Sequence, residues 1–227
     1  MKRLTTVLFD VDGVLLDSLP AHLQICRDKN KEYGLGLRIP TPAQFKRMAR
    51  SRRHRISPMK YFFKAVGFKE KDAEKADRQY RRIFAKKYPP RPFPGMYRAL
   101  RSLDRAGLGL GIVTSNVRTN VVSALGTSIR FFRPQFIFSK DSAAGSSKAK
   151  SIRAALKVLK AKPEETIYIG DQQADWEAAK ATKVNFLGAG YGWAISATDK
   201  GFPVVRDISG IPAYILPRAA RPRPPKT

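Results

Sequence analysis

Leu4-Thr5-Thr6-Val7-Leu8-Phe9-Asp10-Val11-Asp12-Gly13-Val14-Leu15-Leu16-Asp17-Ser18 is the stretch on which the fold turns. Its first half is apolar and β-branched with no polar alternation, the pattern of a strand buried on both faces of a parallel sheet. The run ends in two acids one residue apart. Asp10 and Asp12 are therefore expected at the carboxyl end of a strand, where open α/β sheets hold their ligands. Successive side chains of an extended chain point to opposite faces, so both acids reach one substrate only if the backbone curls. Gly13 permits the curl because it accepts dihedrals that other residues avoid. A solvated Asp-rich turn is the competing reading, and the buried run before it counts against that.

Outward from this stretch the texture changes. Between Leu19 and about Tyr88 apolar residues recur at helical spacing, predicting helices over 20–33, 41–51, 58–66 and 71–87. Gly34-Leu35-Gly36 offers a stop for the first, and Thr41-Pro42 an N-cap and first-turn proline for the second. Tyr88-Pro89-Pro90-Arg91-Pro92-Phe93-Pro94-Gly95 reads as a rigid connector and a boundary. Helices are then expected over 97–106, 117–125, 150–159 and 173–180, alternating with strands over 108–114, 135–138, 166–169 and 184–187. Such alternation implies parallel strands joined by right-handed crossovers. The fold class is α/β: a parallel-sheet core from residues 1–18 and 93–216, interrupted by an all-α domain over 19–92. Residues 217–227, rich in proline and arginine, are expected to be a disordered basic tail.

Composition sets further bounds. At 227 residues the chain can bury a real core and hold an insertion. The single cysteine, Cys26, excludes an internal disulfide framework and fits a reducing cytoplasm. The first apolar run is too short and too soon acidic for a signal peptide, and no stretch is long enough to span a bilayer, so no membrane partner is expected. Lys and Arg number 44 against 18 Asp and Glu, a net charge of +26. That field concentrates anionic substrates and promotes nonspecific nucleic-acid binding. A lineage-wide basic bias explains it equally well.

Three later segments repeat the opening logic. Gly111-Ile112-Val113-Thr114-Ser115-Asn116 ends a buried strand in hydroxyl and amide groups, which together with the N–H groups of a following helix make a phosphate-oxygen site. The same residue types also cap helices for structural reasons alone. In Ser146-Ser147-Lys148-Ala149-Lys150, a lysine ahead of a helix can hold a phosphoryl group as a point charge; a solvated surface role is the default in so basic a chain. Tyr168-Ile169-Gly170-Asp171-Gln172-Gln173-Ala174-Asp175 runs from a buried strand into a glycine turn and two acids one helical turn apart. Hard oxygen ligands of this kind suit Mg²⁺, although an acid at a helix start also serves the helix dipole.

In order and spacing the four segments resemble the motif set of the haloacid dehalogenase-like (HAD) superfamily. The likeness spans 7–17 and about 93–192, and the helical insertion sits where that superfamily carries a C1-type cap. The chain is thereby identified as a HAD-like phosphohydrolase of the phosphoglycolate phosphatase/β-phosphoglucomutase-like branch, with a Rossmann-like core. The resemblance implies an aspartyl-phosphate mechanism in which Asp10 is the nucleophile and Asp12 the general acid and base. It implies Mg²⁺ held by Asp10, the Asp12 carbonyl and Asp171, with Asp175 holding a metal-bound water or a neighbouring ligand. Thr114, with the backbone of Ser115 and Asn116, would grip the phosphate. Lys148 would neutralise the charge that gathers there, with Lys150 and Lys140 as alternatives.

An acid at position 12 disfavours dehalogenase and phosphonatase readings. A phosphomutase stays open, since His22 matches a histidine near the cap hinge of mutases, although a helix-surface histidine is as good a reading. The expected partner is a small phosphorylated metabolite acted on by a monomer or dimer. A nucleic-acid-associated protein or polynucleotide end-phosphatase is the alternative, supported by charge alone. Between residues 19 and 92 lie 21 basic and 6 acidic side chains, densest at Arg47, Arg50, Arg52, Arg53, His54 and Arg55.

Overall fold

Thr6–Phe9 forms strand β1, buried along its whole length. A computed structural model describes residues 3–143 and 147–219. After Phe9 the chain makes the expected curl: the amides of Leu15 and Leu16 donate to the Val11 carbonyl and that of Gly13 to Leu16. Gly13 has φ +82°, a left-handed conformation that costs glycine little. Leu16–Asp17 (β2) then leads into helix α1, Leu19–Glu32.

Three more helices follow: α2 over Pro42–Arg50, α3 over Met59–Ala65 and α4 over Glu70–Lys87. Thr41 and Gln44 close a capping box at the start of α2, with Pro42 in the first turn. These helices share one aromatic cluster. Phe45 stacks on Phe62 at 4.4 Å, and Phe84 packs against His22 and Tyr80. Trp193 joins the cluster from the other side of the molecule.

Part of the segment expected to be a rigid connector is a strand. Arg91–Pro92 (β3) pairs antiparallel with β2, so the two passages of the chain between the parallel sheet and helices α1–α4 lie side by side as a small ribbon. Two-residue strands leave no periodic signal in sequence.

Beyond the ribbon come α5 (Met96–Arg105), β4 (Gly109–Val113), α6 (Arg118–Leu125), β5 (Ile137–Phe138), α7 (Lys148–Leu159), β6 (Thr166–Gly170), α8 (Gln173–Ala181) and β7 (Asn185–Ala189). The strand expected over 135–138 is shorter, because Pro134–Phe136 takes a 3₁₀ turn first. Val204–Val205 (β8) and Gly210–Ile215 (α9) were not anticipated. The main sheet is parallel throughout in the order β5-β4-β1-β6-β7-β8. β1 therefore lies between β4 and β6, and the ends of all three strands converge on one spot.

The tail departs from expectation at its beginning. Leu216–Arg218 is a 3₁₀ turn, and Ala219 bridges to Leu4 in parallel. The rest of the expected tail, 220–227, lies outside the described residues, as does Ser146. No helix among the described residues is long and apolar enough to cross a membrane.

Candidate active site

The ends of β1, β4 and β6 bring Asp10, Thr114 and Asp171 together, and the start of α7 adds Lys148. Asp10 is buried, and its Oδ1 accepts the Val11 amide at 2.8 Å. The Lys148 ammonium donates to Asp10 Oδ2 at 2.6 Å and also bonds Asp175 Oδ1. Of the three candidate lysines, Lys148 is the one that reaches the acids; Lys150 is exposed and Lys140 half-buried.

Asp175 accepts the amides of Asp171 and Gln172 at 3.2 and 3.0 Å through Oδ2, fixing the turn after β6. Its Oδ1 also lies 3.1 Å from the Tyr168 hydroxyl. Both oxygens of Asp175 thus have protein partners, whereas Asp171 keeps one oxygen back. Asp171 Oδ2 accepts the Trp193 amide at 2.7 Å, and Oδ1 is buried with no hydrogen-bond partner among the described residues. The turn is built tightly around this carboxylate. A Cβ added to Gly13 would stand 2.0 Å from Asp171 Oδ2, and one added to Gly192 would stand 2.4 Å from Asp171 Cβ.

One ligand oxygen from each of Asp10, Asp171 and Asp175 lies within 4.8 Å of the others. Fully ionised, these three acids and Lys148 would carry a net −2, in a setting that strips water from charge. Burial pushes the Asp10 carboxyl up to about 6, against the pull of Lys148 and with the push of Asp175. Burial raises Asp171 well above the carboxylate range, and Asp175 and Asp10 add to it. Burial opposes the charge on Lys148, but Asp10 and Asp175 outweigh it and hold the ammonium above its ordinary value. An excess of buried carboxylate with an unpartnered oxygen is the donor set that a hard divalent cation satisfies, and it fits Mg²⁺.

Thr114 is buried; its amide donates to Phe138 and its Oγ1 accepts the Asn116 amide at 3.2 Å. Ser115 is half-buried beside it. The Asn116 side chain turns to the acids, donating to Asp12 Oδ2 at 3.0 Å and to the Tyr80 hydroxyl at 3.2 Å. His22 is not on a helix surface: it is 3% exposed, with Nδ1 2.6 Å from the Ser18 carbonyl and Nε2 3.1 Å from the Tyr80 hydroxyl. Burial lowers its pKa, although Asp12 and the Ser18 carbonyl pull the other way.

Two spaces meet here. A cavity of about 40 Å³ is lined by Asp10, Asp12 and Thr114 from the core and by Met59, Phe62 and Tyr80 from the cap. Ile56, Ser57, Pro58, Ser115 and Gln172 line both this cavity and a cleft of about 930 Å³, which Arg52, His54 and Arg55 also line. Of the basic cluster, Arg47, Arg50, Arg52, Arg53, His54 and Arg55 are all exposed. Arg52 reaches across to Asp199 at 2.7 Å, and Lys46 to the Tyr191 carbonyl at 2.9 Å, so cap and core touch at the cleft's edge. Tyr80 and Trp193 are site residues that the sequence did not single out. Aromatic residues at core spacing carry no sign of a polar task.

Known proteins resemble this arrangement in sequence and in shape. Pyrophosphatase PpaX of Bacillus velezensis is 31% identical over 202 residues, 86% of each chain, and that of Listeria innocua 27% over 207 residues, 87% of each. A haloacid dehalogenase-like family hydrolase from Streptococcus pneumoniae superposes with a TM-score of 0.75, covering 93% of this chain and 98% of its own at 24% identity, which speaks to the fold. The sequence model of the haloacid dehalogenase-like hydrolases matches residues 7–189, from the strand that carries Asp10 to the end of β7, and the chain belongs to that family.

Proposed function

We propose that this hydrolase is a Mg²⁺-dependent phosphatase that cleaves a small phosphomonoester through an aspartyl-phosphate on Asp10. One observation carries the reading: Lys148, on the wall of the larger cleft, is bonded to Asp10 within a group of three buried carboxylates, and Asp10 also lines the small cavity together with Asp12. Asp10, Asp171 and the Asp12 carbonyl would hold the cation. Asp175, whose oxygens are already engaged, would chiefly orient Lys148 and the turn at Asp171. When bound, Mg²⁺ would supply positive charge for the carboxylates and the phosphoryl oxygens.

The chain's own groups account for the rest. Thr114 and the Ser115 amide bind phosphoryl oxygens, with the Asn116 amide holding the Thr114 hydroxyl in place, and Lys148 balances charge on the group in transfer. An Asp10 carboxylate oxygen attacks phosphorus. The bond to the leaving oxygen breaks with its electron pair, and that oxygen takes a proton from the Asp12 carboxyl. Water then attacks the phosphorus of the aspartyl-phosphate and gives a proton back to Asp12, releasing phosphate and restoring the Asp10 carboxylate. Residues 19–92 act as the cap that keeps bulk water from the ester.

A second reading, with phosphate itself as the leaving group, is favoured by the pyrophosphatase names of the relatives and by the small cavity. Hydrolysis of p-nitrophenyl phosphate, with and without Mg²⁺, tests the mechanism. Asp10→Asn is expected to lower the rate by about a thousandfold, and undiminished activity in that variant sinks the proposal. A higher kcat/KM for pyrophosphate than for any carbon ester selects the second reading.

A further inference from the structure

The hydrogen bonds around Asn116 have only one consistent direction. Asn116 Oδ1 accepts the Val117 amide at 2.9 Å and Asn120 Nδ2 at 3.1 Å, so Oδ1 and Nδ2 cannot be exchanged. Nδ2 then spends its two hydrogens on Asp12 Oδ2 and on the Tyr80 oxygen. At the other end the Ser18 carbonyl can only accept, which puts a hydrogen on His22 Nδ1; burial favours the neutral ring, in which Nε2 is then bare. The Tyr80 hydroxyl must therefore donate to His22 and accept from Asn116. One chain of bonds runs from Asp12 through Asn116 and Tyr80 to His22 and Ser18, every member buried except the half-buried Asp12.

The chain treats the two oxygens of Asp12 differently. Oδ2 is committed to Asn116, while Oδ1 has no partner among the described residues. We propose that Tyr80, reaching in from the cap helix α4, is a positioning residue for Asp12: it holds the Asn116 amide, which pins Oδ2 and leaves Oδ1 to face the leaving group. The inference rests on the phosphatase reading of Asp10 and Asp12. In the transfer step the proton leaves Oδ1 for the departing oxygen, which keeps the electron pair of the broken P–O bond. Asp12 is left as a carboxylate with Oδ2 still held by Asn116. Tyr80 and Asn116 come from different halves of the molecule, so the acid is aligned only while the cap helix lies over the sheet.

Tyr80→Phe removes the hydroxyl and keeps the ring that packs on His22 and Phe84. The readout is kcat/KM for two esters, glycerol phosphate, whose alkoxide must be protonated, and 2,4-dinitrophenyl phosphate, whose phenolate need not be. Tyr80→Phe is expected to slow the alkyl ester by about tenfold to a hundredfold, part of what a general acid contributes. The dinitrophenyl ester should change by less than about twofold. Equal losses on both esters, or no loss on the alkyl ester, overturns the proposal. His22→Phe, which removes the acceptor for Tyr80, should split the two esters in the same direction and keeps the test open if Tyr80→Phe unfolds. Failure of the underlying reading looks different, because Asp10→Asn would then still hydrolyse both.

Discussion

The cap is made of opposite materials on its two sides. Towards Asp10 it presents His22, Ile56, Pro58, Met59, Phe62 and Tyr80, and no lysine or arginine of the cap lines that cavity among the described residues. Towards solvent it is densely basic. Lys71, Lys75, Arg78, Arg82 and Lys86 stand exposed on α4 at intervals of three and four, one stripe along the helix. The difference separates two jobs that net charge alone runs together. Charge acts at long range and raises the encounter rate of anions, with a strength that falls as salt rises. In the proposed reaction, contact with the leaving group would be left to neutral walls and directed hydrogen bonds, where shape and an aligned proton decide. A basic cap thus need not mean a polyanionic leaving group.

Truncation of the inner wall should have the largest effect on this contrast. Phe62 is fully buried, stacked on Phe45 and set edge-on to Trp193. Phe62→Ala is expected to cost about 3–5 kcal/mol of stability, read by chemical denaturation. A cost near zero would mean that the aromatic cluster is not what holds the wall in shape.

Metal binding probes the charged floor below that wall. The folded pKa of Asp10 is about 6 against an ordinary 3.8, so the native state keeps a proton that the unfolded chain gives up. The stability this confers on metal-free protein is full below pH 3.8 and is lost as the pH rises through about 6. Asp171 is raised as well and adds in the same direction. Mg²⁺ must displace such protons, so at one fixed Mg²⁺ concentration it should stabilise the protein more at pH 8 than at pH 5, reaching about 3 kcal/mol where the ion stands a hundredfold above Kd. Thermal unfolding with Mg²⁺ and with EDTA measures this. A Mg²⁺ effect equal at both pH values would remove the buried acids as its site.

The smallest effect belongs to the rim. Arg52→Gln with Arg55→Gln should lower kcat/KM by a few-fold, about 1 kcal/mol or less, at low ionic strength, and leave kcat unaltered. The loss should fade as salt is added. A fall in kcat that persists in high salt would erase the division between rim and wall.

Much of the core could be read from residues alone. Asp10, Thr114 and Asp171 each end or follow an uninterrupted apolar strand, and a parallel sheet gathers such ends at one edge. The cap helices were legible from spacing, and the cap of α2 from Thr41-Pro42 and Gln44. The ribbon of β2 and β3 was not, because two-residue pairings depend on partners about 75 residues away in sequence, a separation that local pattern cannot carry. In sequence His22 fits a helix surface and a cap hinge equally well. Its burial depends on Phe62, Tyr80, Phe84 and Trp193 closing round it, and those contacts exist only in three dimensions. Tyr80 was hidden by the same logic: a tyrosine on the core face of a helix looks like packing until its hydroxyl is seen to bridge His22 and Asn116.

Trp193 belongs by sequence to the loop after β7 but packs among cap residues, its indole 5.2 Å from His22 and 5.7 Å from Phe62. Its backbone amide is bonded to Asp171. The protein has two tryptophans, and the other, Trp176, lies on α8 against Phe202. Replacing Trp176 with phenylalanine would leave a single intrinsic fluorophore at the joint between the two halves. Its emission would then report any change in the packing of α1 and α3 against that loop in real time, with no label attached.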